Sequence, residues 1–457
     1  MRTIDTDYLI VGAGAGGLAF ADSLIAESDA DVVIVDRRDR PGGHWNDAYS
    51  FVRLHQPSAY YGVNSRVLGS DSIETAGPDA GCYGRASAPE ICDYFQRVLE
   101  EHLLPSGRVR FFGMCDYRGD FSAEHQLHWR LTGELSTVRV RRRIVDATYL
   151  SPSVPSRHTP SFQVGENVSL IPINDLVCLT EPGSGYTILG AGKSATDACG
   201  WLLESGVAPE AIRWIRPRDT WLIDRAVMQP LELVGSLIEG VSHQLESAAG
   251  AQDVAELFGR LEASGQLVRI DQTVEPTMYR CATISQAEIQ RVRQIENVVR
   301  LGRVLSISER QIVLEEGSIA TDAKQIYVDC TADGAPRIKA RTIFDGNRIT
   351  PQPVRTCFPG FNAALTAFVE CAREEDVEKN RLCPPNPIPN TALDWIATTA
   401  ISQRVQMMWT EEPDLVAWLE RSRLNVARGL EAHLNEPQVQ AALARYLANN
   451  EQAMDRL

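Results

Sequence analysis

Two glycine-rich stretches, VGAGAGG at residues 11–17 and LGAGKSATDA at residues 189–198, are where this 457-residue chain has the residue types and spacing to do chemistry. In the first, Gly12, Gly14 and Gly17 fill the three positions of GxGxxG. The first glycine permits a tight turn, the second lets backbone approach a pyrophosphate, and the third lets a helix lie close on a strand. An anion placed there meets unpaired N–H groups and the positive end of the helix dipole. Asp36, nineteen residues beyond Gly17, ends the apolar run VVIVD, where a carboxylate can bond ribose hydroxyls. In the second stretch Gly190, Gly192 and Ala195 form GxGxxA, with Lys193 and Ser194 inside it. The strand that follows ends in arginines, Arg216 and Arg218, and not in an acid. An arginine at that place accommodates the 2′-phosphate of NADP. Two such loops imply two dinucleotide sites, most simply FAD and a nicotinamide cofactor, NADP(H), that reduces it.

Each loop needs a strand before it and a helix behind it, and the apolar spacing supplies both. Residues 7–11, 17–26 and 32–36 read as strand, helix and strand; residues 186–189, a helix through 203, and residues 212–215 repeat the pattern. Residues 88–103 have helical spacing behind Ser87 as N-cap. Residues 109–112, 127–131 and 138–147 alternate like strands and suggest a small antiparallel layer. A Pro/Ser-rich stretch at 151–161 reads as a linker. Helical spacing from 228 to about 265 marks an insertion able to cap a pocket, strand patterns return at 298–302, 312–314 and 325–329, and from 362 onward the chain is largely helical. The expected fold class is α/β: two Rossmann-like dinucleotide-binding domains, an FAD domain with an inserted NADP domain, plus a helical insertion and a helical C-terminal region. Residues 1–155 form the first part of the FAD domain, 156–335 the NAD(P)-binding domain with its insertion at about 228–290, and 336–457 the return.

Net charge −15 argues against nucleic acid and anionic membrane as partners. The basic cluster at 141–143 reads as a solvated strand end. Ten cysteines occur without CxxC or any Cys/His metal spacing, which predicts reduced, buried thiols, no metal and a cytoplasmic protein. The first seven residues carry charges where a secretory segment would be apolar, and no run of about 18 apolar residues exists to span a membrane. Zinc, Ser-His-Asp, P-loop, CxxxxC and WxWxIP signatures are missing.

Behind the second strand comes Pro41-Gly42-Gly43-His44-Trp45, then Tyr49-Ser50-Phe51-Val52-Arg53-Leu54-His55. These segments resemble the GGxW and YPGARxD blocks of class B flavoprotein monooxygenases, the flavin-containing and Baeyer–Villiger monooxygenases. GAGKSATDA is similar to their GxGxSAxD block, and residues 147–149 and 327–334 are similar to the segments where those chains cross between domains. The likeness covers roughly residues 5–60, 140–220 and 295–335. It implies an FAD site formed by Gly12, Gly14, Gly17, Asp36, Arg37, Gly43, His44, Trp45 and Gln56, with Tyr60 and Tyr61 near the flavin ring. It implies a nicotinamide site formed by Gly190, Gly192, Lys193, Ser194, Ala195, Arg216 and Arg218, with Asp333 at the return crossing.

The activity implied is an FAD-dependent, NADPH-using monooxygenase that oxygenates a small organic substrate with O2 through a flavin C4a-(hydro)peroxide. Arg53, matching the family arginine, would stabilise negative charge, and His55, standing where the Baeyer–Villiger enzymes have aspartate, would manage protons. A homo-oligomer is a family-level expectation. The family fingerprint FxGxxxH does not fit residues 162–168, and His158 precedes Phe162 instead of following it. A non-oxygenating FAD-dependent dehydrogenase or oxidase therefore stays open, as does a flavin-bound carrier or escort protein.

Overall fold

The computed structural model describes residues 2–122 and 124–457. Strand Arg2–Val11 runs through the middle of the first sheet, parallel to Val32–Val35 on one side and Leu135–Asp146 on the other. Val109–Phe112 and Arg348–Ile349 continue the parallel order outward. Tyr8–Val11 and Val32–Val35 are buried on both faces, which is why both read as unbroken apolar runs and not as alternating ones. Helix Ala15–Glu27 covers one face, and helix Pro359–Ala372 packs against it from more than 300 residues away. Helix Ala88–Val98 starts at Ser87 with the predicted cap, a reciprocal box with Glu90.

The second sheet is wholly parallel, in the order Val298–Val299, Ile212–Ile215, Tyr186–Leu189, Ile326–Asp329, Ser169–Pro172. Helix Lys193–Glu204 follows its central strand. The two sheets share a construction. Asp146 ends a strand of the first and its Oδ1 accepts from the backbone N–H and hydroxyl of Thr148, at 3.1 and 2.8 Å. Asp329 does the same for Thr331, at 2.9 and 2.6 Å. Each of these turns lies against the first glycine of a loop. A Cβ on Gly12 would stand 2.9 Å from Thr148 Cγ2, and one on Gly190 2.6 Å from the Cys330 carbonyl oxygen.

Four sequence expectations change. Val109–Phe112 joins the parallel sheet; the antiparallel layer is Cys115–Arg118, His125–Trp129 and Leu135–Asp146. Cys115–Arg118 is too short and too polar to show a period in the sequence. The insertion is not helical throughout: beside helices Val234–Gly250 and Val254–Ala263 it carries strands Leu267–Val268 and Met278–Ile284, which flank Thr220–Asp224. Residues 141–143 lie within strand Leu135–Asp146, where Arg141 pairs with Asp7 and Asp31 and Arg143 with Glu370 and Asp376. Those carboxylates come from distant segments, so sequence proximity could not reveal them. Finally, Cys281 and Cys357 form a disulfide across 76 residues, and Cys178 and Cys371 are exposed; Cys82, Cys115, Cys199, Cys330 and Cys383 are buried free thiols.

Helix Ala15–Glu27 can sit this close to its strand only because Gly17 has no side chain. A Cβ there would press into the Gly12 carbonyl, backbone on both sides with nothing free to move. Gly16, one residue earlier, has nothing within 4 Å of the same added atom. Gly17→Ala is expected to lower unfolding free energy by about 3 kcal/mol, whereas Gly16→Ala leaves it unchanged or raises it by about 0.5–1 kcal/mol. Urea unfolding of the two variants tests this, and equal stability would refute the close-packing account.

Candidate functional site

Both glycine loops lie at the carboxyl ends of parallel strands, the edge at which open α/β sheets bind ligands. Gly12 turns with φ +103° and its N–H reaches the Val35 carbonyl at 2.8 Å. Gly14 is the extended N-cap of the following helix, and among the described residues no side chain bonds to cap it. Gly190 turns with φ +124°, Gly192 is the equivalent N-cap, and Ala195 is buried against the sheet. The first-turn N–H groups of both helices thus lack the Ser, Thr or Asp cap that most helices use. That is the arrangement a pyrophosphate completes, and it fits a dinucleotide at each loop.

Around the first loop the carboxylate of Asp36 is buried, taking the Ala13 N–H at 2.7 Å and the Arg38 N–H at 2.8 Å. Arg37, beside it, is exposed. Gly42 donates to the Ala13 carbonyl at 2.9 Å, and Gly43 follows in a left-handed turn whose Cβ would stand 2.9 Å from Gly14 Cα. The GGxW segment is therefore laid directly on the glycine loop. His44 and Trp45 continue it as the short turn Gly43–Asp47. Trp45 Nε1 donates to Tyr61 Oη at 2.7 Å, and Gln56 is half-buried nearby in sequence.

His55 is the most informative side chain of the site. Its side chain is exposed, though crowded by neighbouring protein. Desolvation by its surroundings, and next the ammonium of Lys193, push its pKa down to about 4. His44 is held to about 4 as well, by desolvation and then Arg38. The His55 ring of the first unit thus lies under the field of the second unit's glycine loop. Arg53, two residues away, is exposed and donates to the Arg85 carbonyl at 2.8 Å.

Lys193 is turned onto carboxylates: its Nζ pairs with Asp197, one helical turn on, and lies 3.9 Å from Glu288. Tyr49 donates to the other Asp197 oxygen at 2.7 Å, and its hydroxyl also contacts Ser194. Arg85 bonds Asp79 at 2.6 Å, and Arg225 reaches both Asp79 and Glu288. Burial raises the Glu288 pKa, but Lys193, Arg225 and Arg85 outweigh it and hold the carboxyl ionised well below the usual range. The cluster is the floor of a cavity of about 240 Å³ whose wall includes Phe51 stacked on Trp201 at 5.0 Å. Sequence reading missed it. The Lys193/Asp197 spacing and the Ser285/Glu288 capping box were visible, but nothing local joins them to Asp79, Arg85 or Arg225.

Arg216, at the end of strand Ile212–Ile215, is buried, pairs with Asp219 and lies 4.8 Å over the Trp214 ring; burial and then Arg300 lower its pKa to about 10. Arg218 is less committed, with Met278 Sδ at 3.3 Å and Asn390 Oδ1 at 3.5 Å as partners. Burial lowers its pKa first, then Arg280, Arg337 and Arg303, against a single nearby carboxylate, Asp333. Asp333 bonds Arg280 at 3.1 Å and Arg337 at 3.3 Å. Among the described residues no cluster of three or more His, Cys, Asp or Glu side chains is placed to hold a metal, and no helix is long and apolar enough to cross a membrane.

An NAD(P)-binding Rossmann-like domain model matches residues 10–64. Uncharacterized proteins of Mycobacterium tuberculosis (strain ATCC 25618 / H37Rv) and Mycobacterium bovis are 46% identical over 430 residues, covering 94% of this chain and 79% of theirs. Among solved structures, cyclohexanone-bound cyclohexanone monooxygenase superposes with TM-score 0.53 at 11% identity, over 95% of this chain and 98% of its own. Bacillithiol disulfide reductase of Staphylococcus aureus does so with TM-score 0.50 at 11% identity, over 82% and 100%.

The two histidines carry a pH signature. Their unfolded pKa is near 6.5 and their folded values are about 4. Between pH 6.5 and 4 the unfolded chain therefore binds more protons than the folded one. Stability contributed by the neutral rings is complete above pH 6.5 and falls as pH drops toward 4. An NMR titration of the His55 ring is expected to show a midpoint well below 6.5, and His55→Gln should flatten part of the acid loss; a midpoint at or above 6.5 would show that the ring is neither desolvated nor under the field of Lys193.

Proposed function

The chain belongs to one family with the mycobacterial proteins and has the fold of the class B flavoprotein monooxygenases, and on that premise we propose that it is an FAD-dependent, NADPH-using oxidoreductase that oxygenates a small organic substrate with O2. The observation that carries the reading is one cavity lined by both Arg53, from the segment behind the first loop, and Lys193, from the second loop, with His55 under the field of Lys193. It brings the segment behind the first loop to the second loop, as hydride transfer between two bound cofactors requires. FAD would supply hydride acceptance and oxygen activation.

The chain's own residues do the rest. Gly12, Gly14 and the helix end behind them would hold the FAD pyrophosphate, Asp36 the adenosine ribose, and Gly43, His44 and Trp45 would close over the other side. Gly190, Gly192 and the N-terminus of helix Lys193–Glu204 would hold the nicotinamide dinucleotide. Arg53 is the cation at the cleft best placed to balance negative charge. His55, neutral at working pH, would relay a proton by hydrogen bonding and not as a standing imidazolium. Lys193 is a positioning residue: its carboxylate partners hold it beside His55. The 2′-phosphate falls to Arg218, since Arg216 already has Asp219.

The unmatched FxGxxxH fingerprint favours a second reading, a dehydrogenase or oxidase that does not oxygenate. Residues 163–164, where it should lie, form an exposed strand at the edge of a separate small sheet. Reduced protein mixed with oxygen separates the two: a transient absorbance distinct from oxidised and reduced flavin supports oxygenation, and direct return of the oxidised spectrum supports the alternative. Failure of anaerobic NADPH to bleach bound flavin would sink both and favour a carrier.

Two variants test the residue roles. Arg53→Ala should keep FAD bound while NADPH oxidation is uncoupled from product formation; full coupled activity would remove Arg53 from the mechanism. Arg218→Ala should raise the KM for NADPH by about tenfold, the loss of one charge-assisted bond, and leave NADH use unchanged. An equal loss with both cofactors would place Arg218 outside the 2′-phosphate site.

A further inference from the structure

We propose that Cys281 and Cys357 form a redox-switched staple between the two nucleotide units, oxidised by a low-molecular-weight disulfide and opened by the corresponding thiol. Cys281 lies in strand Met278–Ile284, carried by the insertion of the second unit. Cys357 lies just before helix Pro359–Ala372, which packs on the helix of the first glycine loop. The bond therefore ties the second unit to an element that supports the first.

The strand it grips is a crossbar. Tyr279 N–H donates to the Asn390 carbonyl at 3.0 Å, and Arg280 bonds Asn390 Oδ1 at 3.0 Å and the Asp333 carbonyl at 2.8 Å. Thr283, two residues past Cys281, donates to the His55 carbonyl. One short strand thus holds the C-terminal region, the return crossing and the cleft histidine. Whatever fixes that strand fixes the cleft.

Two features mark the bond as switchable. Cys281 is buried and Cys357 half-buried, so Cys357 is the more open of the two to an attacking thiolate. Both cysteines also have left-handed backbones, φ +56° and +70°, and they account for two of the six non-glycine residues in that region among the described residues. That conformation is unfavourable for a residue with a Cβ and persists only while its surroundings enforce it. Opening the bond frees two segments to relax. The exchange balances as two thiols and one external disulfide giving the internal disulfide and two external thiols, two electrons passing to the oxidant. The staple follows from the cysteine pair and its neighbours alone; its effect on cofactor binding rests on the function proposed above.

The test uses the full chain. After incubation with glutathione disulfide, a digest of denatured, alkylated protein is expected to contain a peptide pair linked through Cys281 and Cys357, and all ten thiols should titrate after reduction. Hydrogen exchange over residues 278–284 and 355–361 should accelerate on reduction, whether or not nucleotide binds. NADP+ affinity should weaken about fivefold or more on reduction, and Cys357→Ser should match the reduced protein under both conditions. Absence of that linked pair after oxidation, or unchanged exchange, would overturn the staple. If exchange changes and NADP+ affinity does not, its coupling to the cofactor site is refuted; if NADP+ fails to bind in either state, the proposed function fails and the exchange data still decide the staple.

Discussion

The contact on which this architecture depends is one peptide thick: helix Ala15–Glu27 meets the end of strand Arg2–Val11 with Gly17 against the Gly12 carbonyl. Nothing larger than hydrogen fits there, so the helix axis is fixed over the strand end and its first N–H groups are aimed at the sheet edge. Gly43 then lies on Gly14, and the Asp36 carboxylate reaches back to Ala13. The second unit differs in one respect: Gly190 meets the Cys330 carbonyl much as Gly12 meets Thr148, but a buried alanine fills the third place, so a methyl group fits there. In both, an aspartate-to-threonine turn closes the neighbouring strand so that the glycine has a firm surface to meet. Two anion-ready helix ends are the outcome of two steric constraints.

What fixes the register of the two units is charge. Arg85, Arg225 and Lys193 share Asp79, Asp197 and Glu288 in a cluster that is mostly buried. Such a cluster is poor evidence of stability, because desolvation offsets most of the attraction, but removing one member leaves a buried charge unpaired at a cost of about 3–5 kcal/mol. Its effect is therefore to specify one arrangement. Asp79 and Arg85 come from the first unit, Lys193, Asp197, Arg225 and Glu288 from the second, and any relative shift strands a charge. The same logic explains why Lys193, which the loop sequence points at phosphate, is spent on carboxylates.

The fold was legible because its signals are local. Glycine spacing, the acid at Asp36, the Ser87 cap and the two-sided apolar strands each lie within about 25 residues, and each was read from the sequence with its function class. The site was legible only in part. His55 could be placed near the first loop by resemblance, but its neutral state comes from packing and from Lys193, nearly 140 residues away. Arg216 and Arg218 look equivalent in sequence; Asp219 distinguishes them, and only the turn of the chain brings its carboxylate onto Arg216. The cysteine pair left no trace at all, since a bond across 76 residues depends on two segments meeting in space.

A neutral His55 changes how the cleft can handle charge. Were it protonated, the cleft would hold the imidazolium, Arg53 and Lys193 together, and repulsion would add to desolvation. With the ring neutral, Arg53, held by the Arg85 carbonyl, is the exposed cation at the cleft, while Lys193 is pinned by Asp197. The contrast between an exposed guanidinium and a neutral imidazole thus follows from where the other charges are already committed. The chemistry at this site is shaped as much by the carboxylates that occupy Lys193 as by the residues facing the cleft.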